Sequence, residues 1–481
     1  MPDLPERRGL WKRYLLGALV VIASCAAATT VAAIHQVDRI VAAFHGDLKV
    51  NDLLAQTESG KPQTVLLVGS DKRAKGASDA VAGSRSVTMI LMRLDPSKNA
   101  IALMSMPRDL KVAIPGHGHD KLNASYSYGG IRLLLKTLKQ VTGLRINHVI
   151  NVDFRGFRDA VDQIGCVYTD VDRRYFNDNS NPNDQYATIN IQPGYQKLCG
   201  KNALDYVRYR HTDTDIVRSA RQQDFLRQAK QQVGTGRLIA NQSKLIKIVS
   251  RYTRSDIHGR VAVLQLLKLA VDSAGSPVLE IHFPAQVGAS YVTASATAVK
   301  KATAEFLGVR SSSPPRARPA PRASSHHHRS GRSASNLMDL SSGGRQQALT
   351  LAKDVRGLPI YYPRLGVPMS SFSVSSPRAY QICGPHAGKC WWSYRIVIAR
   401  NPVLGEYYGV QGTTWKDPPI IKSPNETRNY HGRKLMIFTD GQRVRLVAWK
   451  TKNGTYWISN TLLQTISKND MLAIARATKS L

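Results

Sequence analysis

"TVLLVGSD", residues 64–71, is a short valine- and leucine-rich run that stops at a Gly-Ser-Asp turn signal. Such a run, bounded by turn residues, reads as a buried strand. "SVTMILMRLDP" (86–96) and "AIALMSMPRDL" (100–110) repeat the pattern, which predicts three strands in close succession. The period then changes. "GGIRLLLKTLKQVTG" (129–143) and "FRGFRDAVDQIG" (154–165) have helical spacing, and "INHVINVD" (146–153) is a strand between them. Helical patterns return in "KLIKIVSRY" (244–252), "RVAVLQLLKLAVDSAG" (260–275) and "ASATAVKKATAEFLG" (294–308). Strands alternating with helices predict a three-layer α/β sandwich, a central mixed sheet flanked by helices, over residues 63–310.

Residues 311–347 are rich in Ser, Pro, Arg and Gly and lack apolar periodicity, so they read as a disordered linker. His326, His327 and His328 fall inside it, and a polar tract of this kind needs no metal-binding role. Residues 348–481 have another texture. Short strands such as "WWSYRIVIA" (391–399), turn signals at Asp440-Gly441 and Asn453-Gly454, and a final helical stretch (467–481) predict a small α+β domain, a binding or structural accessory.

The N-terminus addresses compartment. Basic residues 1–13 precede an uncharged stretch, Tyr14 to Ile34, about the ~20 residues that a transmembrane helix requires. The flanking Arg7, Arg8, Lys12 and Arg13 keep that end cytoplasmic, so the remainder, after a stalk at 35–62, is expected outside the cell. A cleaved signal peptide and a lipoprotein ending at Cys25 are the alternatives to a retained single-pass anchor. The other four cysteines fall as Cys166 with Cys199 and Cys383 with Cys390, one pair per domain. Two disulfides in an oxidising compartment are expected, and zinc at "CGPHAGKC" is disfavoured because the spacing is long and His386 alone cannot complete a site.

The chain of 481 residues carries a formal net charge of +34, which implies an acidic partner. Nucleic acid is disfavoured: the domains are expected outside the cell, and no helix-turn-helix or RNA-binding signature occurs. No G-x-S-x-G elbow occurs either, which disfavours serine hydrolase chemistry. The charge concentrates in "VRYRHTDTDIVRSARQQD" (207–224). Arg208 and Arg210 alternate, so on a strand both project from one face. Arg218, Arg221 and Gln222 stand at i, i+3 and i+4, which on a helix share a side. Converging guanidinium groups need a polyanion or carboxylates such as Asp213, Asp215 and Asp224. An anion site and an internal ion-pair network both fit. His211 is equally a proton shuttle or a structural hydrogen-bonder.

Upstream, "GSDKR" (69–73), "SRSVT" (84–88), "MPRDL" (106–110) and "KLNASYSYGG" (121–130) precede this stretch. In this order, over about residues 63–235, the set resembles the LytR-CpsA-Psr (LCP) family of cell-envelope phosphotransferases. The resemblance implies a membrane-anchored enzyme that moves a glycopolymer from a polyprenyl pyrophosphate carrier to peptidoglycan. It implies that Arg85, Arg108, Arg208, Arg210 and Arg218 bind pyrophosphate, with Arg73, Arg221 and Gln222 in support. It also implies that Arg108, Asp215 and Arg218 are the catalytic candidates, and that Asp71 is a magnesium ligand. A hydrophobic groove between sheet and helices would hold the lipid; the leucines of "IRLLLKTLKQV" (131–141) would line it or serve as ordinary core. One position departs from the family pattern. Val87 stands where an aspartate usually helps to hold magnesium, and valine has no oxygen donor. Asp79 is a possible substitute. The departure leaves a second reading, a weakened LCP-like protein that binds polyprenyl-linked intermediates or wall polymer as an envelope scaffold.

Overall fold

The computed structural model describes residues 38, 41–42, 48–71, 85–98, 100–181, 187–209, 212–233, 241–273, 275–288, 290–308, 336–384 and 388–481. The expected spanning segment 14–34, the histidines 326–328, Arg73, Asp79, Arg210 and His211 lie outside the described residues. Among the described residues no helix is long and apolar enough to cross a membrane.

The strand Gln63–Asp71 occupies the middle of a six-stranded mixed sheet. It runs antiparallel to Arg85–Asp95 on one side and parallel to His148–Asp153 on the other. Ala100–Ser105 follows Arg85–Asp95 antiparallel, and Val278–Ile281 closes that edge in parallel. Thr253–Ser255 closes the other edge. The mixed sheet flanked by helices is the predicted α/β arrangement.

Alternation along these strands makes two unequal faces. Leu66, Val68, Leu91 and Met104 are buried against the helix Leu122–Thr142. That helix also buries Leu134, Leu135 and Leu138 completely, each such burial contributing about 1.5–3 kcal/mol. These leucines are therefore core, not the lining of a groove. On the opposite face Ile90, Leu94 and Leu103 meet Leu269, while Leu67 and Met92 are only partly buried. The helix Gln242–Tyr252 lies on this side of the domain with Leu245, Ile246, Ile248 and Val249 all half-exposed. This face is the more loosely covered one.

The C-terminal unit begins earlier than its composition suggests. The strand Met338–Asp339 falls within, and the helix Ser341–Ala352 begins within, the stretch 311–347 expected as linker. The helix escapes a periodicity search because its buried stripe is Gly344, Ala348 and Leu351, mostly small residues. Gly344 is required there, since a Cβ would lie 2.4 Å from the Pro363 carbonyl oxygen. This helix and Lys468–Ala477 pack on an antiparallel eight-stranded sheet.

The two units share a core. Tyr168 and Tyr195 of the first pack with Ile382, Ile420, Phe438, Leu446 and Trp457 of the second. Asp170 accepts the Trp457 indole N–H at 3.2 Å and pairs with Arg395 at 3.3 Å. Both expected disulfides form, Cys166–Cys199 and Cys383–Cys390.

Candidate functional site

The helix Asp215–Gln232 carries the arginines, and it is polar yet buried on nearly every side. Asp215, Arg218, Ser219, Arg221, Gln222, Gln223, Arg227 and Gln228 are all buried. A polar helix takes such a place only when each charge and donor finds a partner. The structure meets most of that demand with carboxylates that serve two cations, while the Nε atoms of Arg218 and Arg221 make no hydrogen bond among the described residues.

Asp215 is the first residue of the helix, where a negative charge also suits the helix dipole. Its carboxylate pairs with Arg218 one turn on, accepts the backbone N–H of Arg108, and lies 3.8 Å from the Arg108 Nε. Arg108 also faces Asp109 at 3.6 Å, and Asp109 in turn meets Lys121 at 3.4 Å. Burial lowers the Arg218 pKa, and Arg108 adds to that effect against the opposing pull of Asp215. Burial, not surplus positive charge, is the dominant cause, since Asp215 and Asp109 both pull the other way. The three catalytic candidates Arg108, Asp215 and Arg218 stand together.

A second cluster sits beside the first. Asp213, its side chain fully shielded, pairs with Arg221 through one oxygen and with Arg173 through the other. Arg221 also donates to the Tyr209 carbonyl and lies 4.7 Å from the Tyr175 ring centroid. Arg173 also lies over the Tyr175 ring, at 4.6 Å, and donates to Thr212 Oγ1 at 2.9 Å. Burial alone would raise the Asp213 pKa, but the two guanidinium groups overcome it and hold the carboxyl below its usual range. Arg221 has no exposed surface, so it braces the site and does not reach a ligand from this position. That corrects its expected place among pyrophosphate binders.

Gln222 also braces. Its amide donates to Thr88 Oγ1 and to the Val207 carbonyl, each at 2.9 Å, tying the strand Arg85–Asp95 to the helix Gly200–Arg208. Gly69 faces Thr88 across the strand pair, and a Cβ there would come within 3.2 Å of the Thr88 Cβ. "YVRYR" is not a strand. Its first part ends the helix Gly200–Arg208, where Arg208 pairs with Asp205 at 2.7 Å, three residues back, and Lys201 shares the same carboxylate. Arg208 keeps about a fifth of its side-chain surface exposed. Asp224 does not neutralise the site arginines; it pairs with Arg227 further along the helix.

Asp71 and Arg85 oppose each other at the ends of the two central strands; their side chains lie outside the description. Thr88 pairs with Gly69 and Ser86 with Ser70, so Val87 is the extra residue of a β-bulge. Arg173 was not singled out by motif. "DRRYF" has no partner at strand or helix spacing, and only the fold brings it to Asp213.

The LytR_cpsA_psr family model matches residues 26–306. TagT of Bacillus subtilis (strain 168), named a polyisoprenyl-teichoic acid–peptidoglycan teichoic acid transferase, is 32% identical over 163 residues, 34% of this chain and 50% of TagT. TagU of Oceanobacillus iheyensis, of the same description, is 27% identical over 270 residues, 52% of this chain and 79% of TagU. The crystal structure of B. subtilis TagV matches with 25% identity and a TM-score of 0.42, covering 52% of this chain and 98% of TagV. The chain spans about half the length of B. subtilis TagT. More than half of the chain matches the family model, and the chain belongs to the LytR-CpsA-Psr family.

Proposed function

We propose that this protein is a membrane-anchored, extracytoplasmic phosphotransferase that moves a glycopolymer from a polyprenyl pyrophosphate carrier to peptidoglycan. The observation that carries the reading is the buried pairing of Arg108 and Arg218 on the single carboxylate of Asp215. A pyrophosphate diester supplies two negative charges where that cluster has too few. Its relatives TagT and TagU carry names that describe this reaction for teichoic acid.

In the proposed step, a glycan hydroxyl oxygen of the wall forms a bond to the sugar-side phosphorus. The bridging P–O bond breaks, polyprenyl phosphate departs with the electron pair, and the hydroxyl proton passes to solvent. Arg108 and Arg218 neutralise the phosphoryl oxygens in a site largely closed to water, where fixed donors act most strongly. Asp215 fixes both guanidinium groups, Arg208 flanks them, and Arg85 and Arg210 complete the expected set. Magnesium commonly binds through one or two carboxylates together with substrate phosphates and water. Asp71, at the end of its strand beside Arg85, is the carboxylate that would hold it, and the ion would add charge neutralisation. The half-covered sheet face by Leu67, Met92 and the helix Gln242–Tyr252 offers apolar surface for the lipid.

The test is turnover by the purified full chain in detergent of a synthetic polyprenyl pyrophosphate glycan, beside Arg108→Ala and Arg218→Ala. A charge-assisted hydrogen bond contributes about 1.5–3 kcal/mol, so each variant is expected to lose roughly ten- to a hundredfold in kcat/KM. Wild-type rates in both variants would refute the arginine assignment. Tight binding without release of polyprenyl phosphate would favour the scaffold reading that Val87 raises.

A further inference from the structure

The family match ends at residue 306, yet the region beyond it reaches the arginine helix. The strand Glu406–Thr413 pairs with Cys390–Asn401 from its first residue, with Tyr407 opposite Ala399, and from Gly409 onward also with Thr455–Ser459. Tyr407, second in that strand, puts its ring 5.2 Å from the Arg173 guanidinium carbon. Arg173 is thereby surrounded by three tyrosine rings, with Tyr175 at 4.6 Å and Tyr209 at 5.6 Å. Its guanidinium also reaches Asp213, Thr212 Oγ1 and the Arg174 carbonyl.

The turn before the strand touches the same place. Gly405 has φ +67, and a Cβ there would stand 3.1 Å from both γ-carbons of Val217 and 3.5 Å from Asp213 Oδ1. The backbone of the C-terminal domain thus rests on the segment that carries Asp213, Asp215, Val217 and Arg218. A guanidinium held over an aromatic face keeps its plane and its direction, which an open solvent contact would not ensure.

We infer that the C-terminal domain is a working part of the site and that Tyr407 is a positioning residue. Its ring holds Arg173 on Asp213; Asp213 then holds Arg221 and fixes the turn from which Asp215 and Arg218 approach the ligand. The domain is a clamp on the arginine helix, not a separate recruiting module. The inference rests on the pyrophosphate-transfer reading for its kinetic consequence, but its structural consequence is independent of that reading.

The experiment uses the full chain in detergent as wild type, Tyr407→Leu, Tyr407→Phe and Arg173→Lys. Tyr430→Leu serves as the control, because Tyr430 also stacks on an arginine, Arg476 at 4.7 Å, in the strand at the far edge of the C-terminal sheet. Amide hydrogen exchange over residues 212–218 is read together with kcat and KM for polyprenyl phosphate release. Tyr407→Leu is expected to speed exchange in 212–218 several-fold and to lower kcat roughly tenfold with KM nearly unchanged. Tyr407→Phe, which keeps the aromatic face, is expected to restore both. If Tyr407→Leu does not fold, Arg173→Lys decides, since it keeps the charge and loses the planar stack; faster exchange in 212–218 supports the inference. Wild-type exchange and wild-type kcat in Tyr407→Leu would overturn it, as would the same changes in Tyr430→Leu. Absence of turnover in the wild type would sink the transfer reading alone, and exchange over 212–218 would still decide the role of Tyr407.

Discussion

Replacing Asp213 by Asn removes one charge and leaves two buried guanidinium groups facing a neutral amide. The Asp213 side chain is fully shielded, Arg221 has no exposure, and the Arg173 side chain keeps about a tenth of its surface. Breaking a buried ion pair by deleting one partner costs about 3–5 kcal/mol, and here a single carboxylate serves two cations, so the upper half of that range is expected. By the usual relation between free energy and midpoint for a chain of this size, thermal unfolding should shift down by roughly 4–6 °C. The pH profile adds a second check. The folded-state pKa of Asp213 lies below its unfolded value, so its stabilisation is complete above the unfolded pKa of about 3.9 and is lost as pH falls through the folded pKa. The gap between wild type and variant should therefore stay constant from pH 8 to 5 and close only below about pH 4. Asp215→Asn is the contrast. Inorganic pyrophosphate should recover part of its stability, because an added anion can take the place of that carboxylate, and should recover none for Asp213→Asn. A gap under about 1 kcal/mol, or one that closes between pH 7 and 5, would refute this account of the buried pair.

Two further outcomes test other parts of the molecule. Val87→Asp adds an oxygen donor at the bulge opposite Gly69 and Ser70 and should lower the magnesium concentration for half-maximal turnover at least several-fold; an unchanged magnesium titration would show that position 87 does not face the ion. Asp440 accepts the Glu280 backbone N–H at 3.0 Å across the domain interface, and burial, then Glu280, push its pKa up to about 6. Its ionisation therefore weakens the folded state as pH rises through 6, by about 1–3 kcal/mol at most. Asp440→Asn should remove that slope, and identical wild-type and variant profiles of unfolding midpoint between pH 5 and 8 would contradict it.

The four inner strands of the six-stranded sheet were legible because they obey one rule, an apolar run ended by a turn. That Arg108, Asp215 and Arg218 come together was legible because spaced motifs carry them. Three features were not. The alternating arginines of "YVRYR" imitate strand periodicity, but Asp205 three residues before Arg208 and the buried Ala203, Leu204 and Tyr206 make this segment a helix. The helix Ser341–Ala352 buries glycine and alanine, which no hydropathy pattern marks. Arg173 lies far from Asp213 along the chain, and no local spacing can announce a partner that only the tertiary fold supplies.

The arginine-rich stretch posed a choice between an anion site and an internal ion-pair network, and the partners of each arginine, not burial, divide it, since Arg218 and Arg221 are both buried. Arg221 has both ends committed and no exposed surface, and its partner Asp213 is shared with Arg173 inside a ring of tyrosines. That is a network, and it would exist without any ligand. Arg218 and Arg108 instead share Asp215 at the start of the helix, where the pull of burial and of each other lowers the Arg218 pKa. A protein tolerates such crowding of like charge when another anion joins it. The network gives the crowded pair a rigid base, since Asp213 and Asp215 are two residues apart in one turn. A flexible base would let the arginines part and relieve their repulsion, and the demand for phosphate would fall with it. On the proposed reading, the Asp213 network therefore holds Arg108 and Arg218 together for an incoming anion.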